Sequence, residues 1–390
     1  MTADTMSAED FAQLRDAVRQ FVRGKLVPAE KEVIVNDAIP PRILAQMQQM
    51  GLFGLSVPVE YGGLGLSVAE TVEIVMELSW AAPAFRSTLA INLGIGAVAL
   101  AAEGTEQQKE EWLPRLAKGE VIAFALTEPD CGSDAAALKT RAVRDGDTYV
   151  LNGTKRYITN APIASVFIVM ARTSVQSLPG NAHVSAFLVP AGTPGLTIGK
   201  PDKKMGQSGA LTADVILEDV RVPASAIVGM REGRGFKLAM RSLDRGRLSV
   251  AAGAIGYAKR ILHETLEYAT QRRAFGQPIA NYQLIQAMLA DSKCEIYAAE
   301  CMLRDAARRA SAGERISMEA SCCKMFASEM VGRVADRGVQ IFGGAGYMQE
   351  YPMERFFRDA RVYRIYEGTT QIQQLLIAKS LLRDFAADGT

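Results

Sequence analysis

Histidine is nearly missing from this chain: its 390 residues include two, His183 and His263. A histidine-rich metal site or an imidazole-based triad is hard to assemble from that stock, and both side chains read as surface or packing residues. Net charge is missing as well, since 44 basic residues against 43 acidic ones leave +1. Without a long-range positive field to gather polyanions, nucleic-acid binding is disfavoured as the main task. The five cysteines, Cys131, Cys294, Cys301, Cys322 and Cys323, are odd in number, two are adjacent, and none has metal-knuckle spacing. They read as reduced thiols in a cytosolic setting. The first ten residues carry acids and no apolar core of signal length. No uninterrupted apolar run reads as long enough to cross a bilayer. The expectation is a cytoplasmic protein with no metal and no membrane attachment.

What is present is a globular composition, 48% apolar and 22% charged, on a chain long enough for two or three cores. Residues 1–120 read as helical. Phe11, Leu14, Val18, Phe21 and Val22 recur at helical spacing behind a Ser7 cap, Pro40-Pro41 opens a second helix, and Ser87 to Ala102 is apolar enough to be buried on most sides. Residues 121–235 change period. Short β-rich runs such as Val166–Met170 and Ser185–Val189 are punctuated by Asp145-Gly146 and Asn152-Gly153, read as hairpin turns of a small antiparallel β domain. Residues 236–390 return to longer amphipathic helices. Their stripes are Ile255, Ala258, Leu262, Leu266; Ile285, Met288, Leu289, Ile296, Ala299, Leu303; and Phe326, Met330, Val334, Ile341. Every stripe reads as core packing in a helical bundle.

Three runs carry more information than their neighbours. Ala125-Leu126-Thr127-Glu128-Pro129-Asp130-Cys131-Gly132-Ser133-Asp134 is a strand ending in a polar turn. Gln340-Ile341-Phe342-Gly343-Gly344-Ala345-Gly346-Tyr347 is glycine-rich, but it lacks the preceding strand and third glycine of a dinucleotide fingerprint. Tyr366-Glu367-Gly368-Thr369-Thr370-Gln371 places one carboxylate before a helix start, where Thr369 or Thr370 could serve as cap. Each run alone admits a bland structural reading. Together and in this order, from about Gly51 to Lys379, they resemble the acyl-CoA dehydrogenase family, flavoenzymes that introduce an α,β double bond into an acyl thioester.

The resemblance implies an α+β fold: a helical N-terminal domain, a central antiparallel β domain and a C-terminal four-helix bundle. It implies FAD as cofactor, an acyl-CoA substrate, an electron-transfer flavoprotein as partner and a homotetramer built as a dimer of dimers. Glu367 falls on the family's catalytic base. A carbon acid beside a thioester needs a positioned carboxylate, whose basicity rises on burial. Flavin contacts fall on Leu126, Thr127, Ser133, Tyr157, Ile158, Thr159, Thr369 and Gln371. Arg272 falls on the arginine that binds the FAD pyrophosphate, where a planar guanidinium suits phosphate, and Phe275 and Gln283 fall on further FAD contacts. Gln340, Gly343 and Gly344 fall on a segment that holds the adenosine of a neighbouring subunit's FAD. Ser133, Asp244, Arg247 and Gly368 fall on substrate contacts, although an Asp244–Arg247 salt bridge would explain that pair equally well.

Some relatives take the base from the first bundle helix; the corresponding position here is Gly246, which has no side chain to abstract a proton. Three departures stand out. Cys131 replaces a smaller residue, Tyr157 a tryptophan and Gln374 an arginine. A flavin oxidase, a dehydrogenase acting on carrier-protein thioesters and a flavin-bearing DNA-protection protein stay open as alternatives.

Overall fold

The computed structural model describes residues 6–388; Met1–Thr5, the start of the acidic N-terminal stretch, lie outside the described residues. Helices come first: α1 (Ala8–Phe21), α2 (Val27–Asn36), α3 (Pro41–Gln49), α4 (Val68–Leu78), α5 (Pro83–Ala90), α6 (Ala97–Glu103) and α7 (Glu106–Ala117). Their starts follow local chemistry. The Ser7 hydroxyl accepts the Asp10 amide at 3.0 Å, prolines begin α3, and Ser67 with Glu70 forms a capping box on α4.

Helix α5 continues through a π-helical turn at Ile91–Gly96 into α6. The resulting rod corrects one expectation: Pro83–Glu103 is long and apolar enough to cross a bilayer by length and composition. It lies inside the fold, with 83% of its most apolar window buried. Its polar members find protein partners there, Arg86 with Ser249 and Asn92 with the Glu120 carbonyl and the Ile122 amide.

The sheet follows: β1 (Ile122–Ala125), β2 (Arg141–Asp145), β3 (Thr148–Thr159), β4 (Val166–Arg172), β5 (Val184–Pro190), β6 (Leu196–Ile198) and β7 (Thr212–Pro223). Strand order is β1-β4-β2-β3-β7-β6, with β5 beside β4. Pairings are antiparallel except that β1 and β2 each run parallel to β4. Strand β1 enters from α7 and leaves through a long polar loop, so no hairpin fixes its direction. Asp145-Gly146 lies at the β2–β3 connection, as expected. Asn152-Gly153 does not form a turn. It lies within β3 at a register skip opposite β7, a bulge held by Asn152, which exchanges two hydrogen bonds with Asp219 at 3.0 and 2.9 Å. Glycine is required there because a Cβ would approach the Thr140 backbone to 2.8 Å.

The C-terminal part contains α8 (Gly235–Gln271), a small hairpin of β8 (Arg273–Ala274) and β9 (Gln277–Pro278), α9 (Gln283–Ser311), α10 (Ser317–Phe342), α11 (Met353–Ala360) and α12 (Thr370–Asp388). The middle of α8 is buried continuously from Gly246 to Ala258, between α4 and α10. The core reading holds for Ile255, Ala258, Ile296, Ala299, Leu303, Met330, Val334 and Ile341. It does not hold for Leu266, which is exposed, or for Ile285, Met288 and Leu289, which are half-buried. Helix α4 meets the later half of α9 through Glu73–Arg304 and Ala69–Ser311.

Candidate active site

The segment between α11 and α12 turns sharply where two successive residues take left-handed backbone, Glu367 at φ 54° and Gly368 at φ 93°. A side chain at 368 would also meet the Gln373 amide nitrogen at 2.5 Å. The turn is held from two sides. Lys324 Nζ on α10 donates to the Gly368 carbonyl at 2.7 Å, and Gln373 Nε2 donates to the Glu367 and Gly368 carbonyls at 3.2 and 3.1 Å. The Thr369 hydroxyl accepts the Ile372 amide at the start of α12, while Thr370 donates to Glu329 at 2.7 Å. The expected threonine cap therefore exists, yet one oxygen of the carboxyl beside it, Oε2, is withdrawn from solvent.

Glu367 directs its carboxyl against α8 at Gly246. A Cβ built on Gly246 would stand 2.1 Å from Glu367 Oε2, so the glycine clears the space that the carboxylate fills. Oε2 is buried and has no hydrogen-bond partner among the described residues. Burial pushes this carboxyl above the usual carboxylate range, and the nearby charges of Arg86, Arg247 and Lys324 pull in the opposite direction. Arg86 Nη2 donates to Ser249 at 3.1 Å, and Arg247 Nη1 contacts Asp244 at 2.7 Å, so the salt bridge weighed for that pair is present. Asp244 also accepts from Ser317 at 2.6 Å. The Nε atoms of both arginines and Gln373 Oε1 are buried without partners. Buried polar atoms lacking partners are uncommon, and a group of them around one carboxylate marks a place shaped for a polar ligand.

The β-domain candidates form the adjoining wall. Leu126 and Ile158 are buried, Thr127 and Thr159 are half-buried, and Ser133 and Tyr157 are exposed. Tyr157 sits at the second skip between β3 and β7 with φ 57°, which lifts its ring out of the sheet register. The Thr127 carbonyl accepts the Arg156 amide at 2.8 Å, joining the end of β1 to β3. Asn160 then donates to the Thr88 carbonyl at 3.1 Å, joining β3 to the helix that carries Arg86. Below this ridge the Glu128 carboxylate accepts Lys155 Nζ at 2.7 Å, the Thr140 hydroxyl at 2.6 Å and two backbone amides. The cysteine departure is accommodated: Cys131 is buried, with Sγ 2.9 Å from the Asp134 carbonyl. Gln371 and Gln374 are exposed at the start of α12.

The remaining candidates lie elsewhere. Arg272 and Phe275 follow α8, Gln283 begins α9, and Gln340, Gly343 and Gly344 end α10. The ends of α8 and α10 meet where Tyr268 stacks on Phe342 at 3.9 Å. Along α8, about 39 Å separates Gly246 from Arg272 at the usual rise per residue. One chain thus carries two groups of candidates at opposite ends of its bundle.

The sequence reading missed Lys324, Arg86 and Gln373. Lys324 offered the clearest signal, because Ala320, Lys324, Ala327, Val331 and Val334 lie on one helical stripe and all are buried. A lysine in such a stripe either finds an acceptor or does not stay buried.

Both groups fit an extended flavin dinucleotide. The Arg272 guanidinium has no partner among the described residues, nothing obstructs the space over Gly343 and Gly344, and Phe275 is 96% exposed in the hairpin after Arg272. These suit the phosphate and adenosine parts, while the Thr127–Tyr157–Thr159 ridge suits a planar ring.

Comparison with known proteins agrees. The family models for the N-terminal, middle and C-terminal domains of acyl-CoA dehydrogenase match residues 8–120, 123–220 and 233–382. An acryloyl-CoA reductase (NADH) of Anaerotignum propionicum is 42% identical, over 95% of this chain and 94% of its own length. Among solved structures, butyryl-CoA dehydrogenase from Megasphaera elsdenii is 36% identical with a TM-score of 0.92, covering 97% of this chain and all of that one. A chain from work on the electron transferring flavoprotein of Acidaminococcus fermentans and flavin-based electron bifurcation is 38% identical with a TM-score of 0.93, at the same coverage. With most of residues 8–382 covered by these matches, the chain belongs to the acyl-CoA dehydrogenase family and is an FAD-dependent oxidoreductase of acyl-CoA thioesters.

Proposed function

We propose that the protein desaturates a short- or medium-chain acyl-CoA to the trans-2-enoyl-CoA, with Glu367 as the base that removes the α proton. The observation that carries this reading is Glu367 Oε2: buried, without a hydrogen-bond partner among the described residues, and lying in the space that Gly246 leaves open. Burial raises its affinity for a proton, as abstraction from a weak carbon acid requires. The FAD supplies the acceptor for the hydride that leaves the β carbon. Thr127, Tyr157 and Thr159 are assigned to its ring, and Arg272, Phe275, Gln283, Gln340, Gly343 and Gly344 to its phosphate and adenosine end. Asp244 and Arg247 are assigned to the thioester end of the substrate, together with Ser133 and the Gly368 amide. Neither the Glu367 nor the Gly368 N–H has an acceptor among the described residues, which leaves both free to hold a thioester carbonyl.

Arg272 lies about 39 Å along α8 from Gly246 and the base, which supports an assembly in which copies share cofactors, here a homotetramer. An electron-transfer flavoprotein is the assigned electron acceptor, and the cytoplasm the assigned compartment. A second reading, reduction of an activated double bond, is favoured by the acryloyl-CoA reductase relative and by a 3-(aryl)acrylate reductase of Clostridium sporogenes, 40% identical over 96% of this chain. Anaerobic titration of the purified yellow protein with straight, branched and aromatic acyl-CoAs tests the proposal. Butyryl- to octanoyl-CoA should bleach the flavin, and air should restore the colour far more slowly than an electron-transfer flavoprotein does. Bleaching by none of them, or fast reoxidation in air, would contradict it.

A further inference from the structure

Lys324 is fully buried on α10, and its one hydrogen bond among the described residues is to a backbone carbonyl rather than to an acid. The acceptor is the Gly368 carbonyl at 2.7 Å, in the residue that follows the base. Gln373, also fully buried, reaches both the Glu367 and Gly368 carbonyls. Carbonyl and N–H point oppositely across a trans peptide. Drawing these two carbonyls inward therefore turns the following amides, those of Gly368 and Thr369, away from the bundle core. The backbone there is left-handed at a non-glycine residue, Glu367, and such a conformation persists only where its surroundings hold it.

We propose that Lys324 is a positioning residue for the base: with Gln373 it clamps the Glu367–Gly368 turn, and its ammonium is the buried counter-charge that keeps Glu367 able to accept a proton near neutral pH. This rests on the reading of Glu367 as the base. Other charges face the same carboxyl. Arg86 comes from α5, Arg247 with its partner Asp244 from α8, and Glu329 lies on α10 itself, next to Thr370 and Arg364. Both arginines have a side-chain partner, Ser249 for Arg86 and Asp244 for Arg247, whereas among the described residues Lys324 bonds only to the turn that carries the base. Burial also draws the Lys324 ammonium down to about 8, so the site holds its positive charge against a desolvation cost.

The test measures flavin reduction against pH in three purified holoenzyme variants. K324M removes donor and charge, K324Q removes the charge but keeps an N–H donor, and Q373L removes the other half of the clamp without changing charge. An opposite charge near a carboxylate lowers its pKa by about 1–3 units. The rising limb of the profile should therefore move up by about one unit or more in K324M and K324Q and stay in place in Q373L. All three should reduce more slowly at neutral pH, and K324Q should recover most at high pH. A limb that stays in place in K324Q would overturn the proposal, also if K324M fails to fold. So would a slower K324M whose whole loss follows lost flavin or a lower melting temperature. E367Q run alongside separates the two ideas: if it still reduces its flavin, the base assignment fails regardless of Lys324.

Discussion

Glu367 and Gly246 are one device made of two residues, because the carboxylate occupies the volume a side chain at 246 would take. Gly246→Ala should force the carboxyl aside and lower the rate of flavin reduction tenfold or more, with flavin content unchanged. Stopped-flow reduction beside an absorbance ratio checks both. The pH dependence has a fixed sign. A carboxyl raised by burial works as a base only once deprotonated, so reduction should climb with pH through a value above the usual carboxylate range. Its contribution to stability runs the other way: fully present at low pH, it is lost as pH rises through that raised value. At this scale the sequence was readable where residues stand in a motif, as Glu367, Gly368 and Gly246 do. It was silent on Lys324, Arg86 and Gln373, whose meaning depends on what tertiary packing brings against them. A lysine among alanines on a helix does not name its acceptor, which here lies 44 residues away.

At the scale of elements, the exit of β1 is fixed by an ion pair rather than by a hairpin. Lys155 and Glu128 are buried together, and Glu128 spends its remaining lone pairs on Thr140 and on backbone amides of the returning loop. Lys155 lowers the Glu128 pKa against the desolvation that would raise it. Lys155→Met strands that carboxylate, at a cost of about 3–5 kcal/mol. The expected outcome is a lower midpoint in denaturant and faster flavin loss, since Thr127 and Ser133 stand on the same loop. An unchanged midpoint would show that the loop holds without the pair. The helices were legible from capping and periodicity, as at Ser7 and Pro40-Pro41. The sheet was less so. Asn152-Gly153 has the composition of a turn but serves as a bulge, because Asn152 finds Asp219 on a strand more than sixty residues later.

Over the whole molecule, one group of uncovered apolar side chains lies at the end of the bundle that carries the second set of candidates. Phe275 is 96% exposed, Leu284 and Tyr347 are 82% exposed, and Ile285 and Met288 are half-covered. In the proposed assembly these surfaces lie between copies. Leu284→Asp should therefore reduce the mass measured by light scattering and release FAD in the same step, whereas a surface with no partner would tolerate the charge. Composition predicted helices at the start of α9 but could not show that one chain leaves them half-bare. Periodicity reports a face and not what covers it.

The central claim, that the buried carboxyl of residue 367 removes the substrate proton, is tested most directly by anaerobic mixing of Glu367→Gln with a substrate that bleaches the unaltered protein. The account predicts a yellow variant that still shifts its flavin spectrum on binding ligand but reduces at least about a hundredfold more slowly, the usual scale of a general base. Bleaching at the unaltered rate would contradict it.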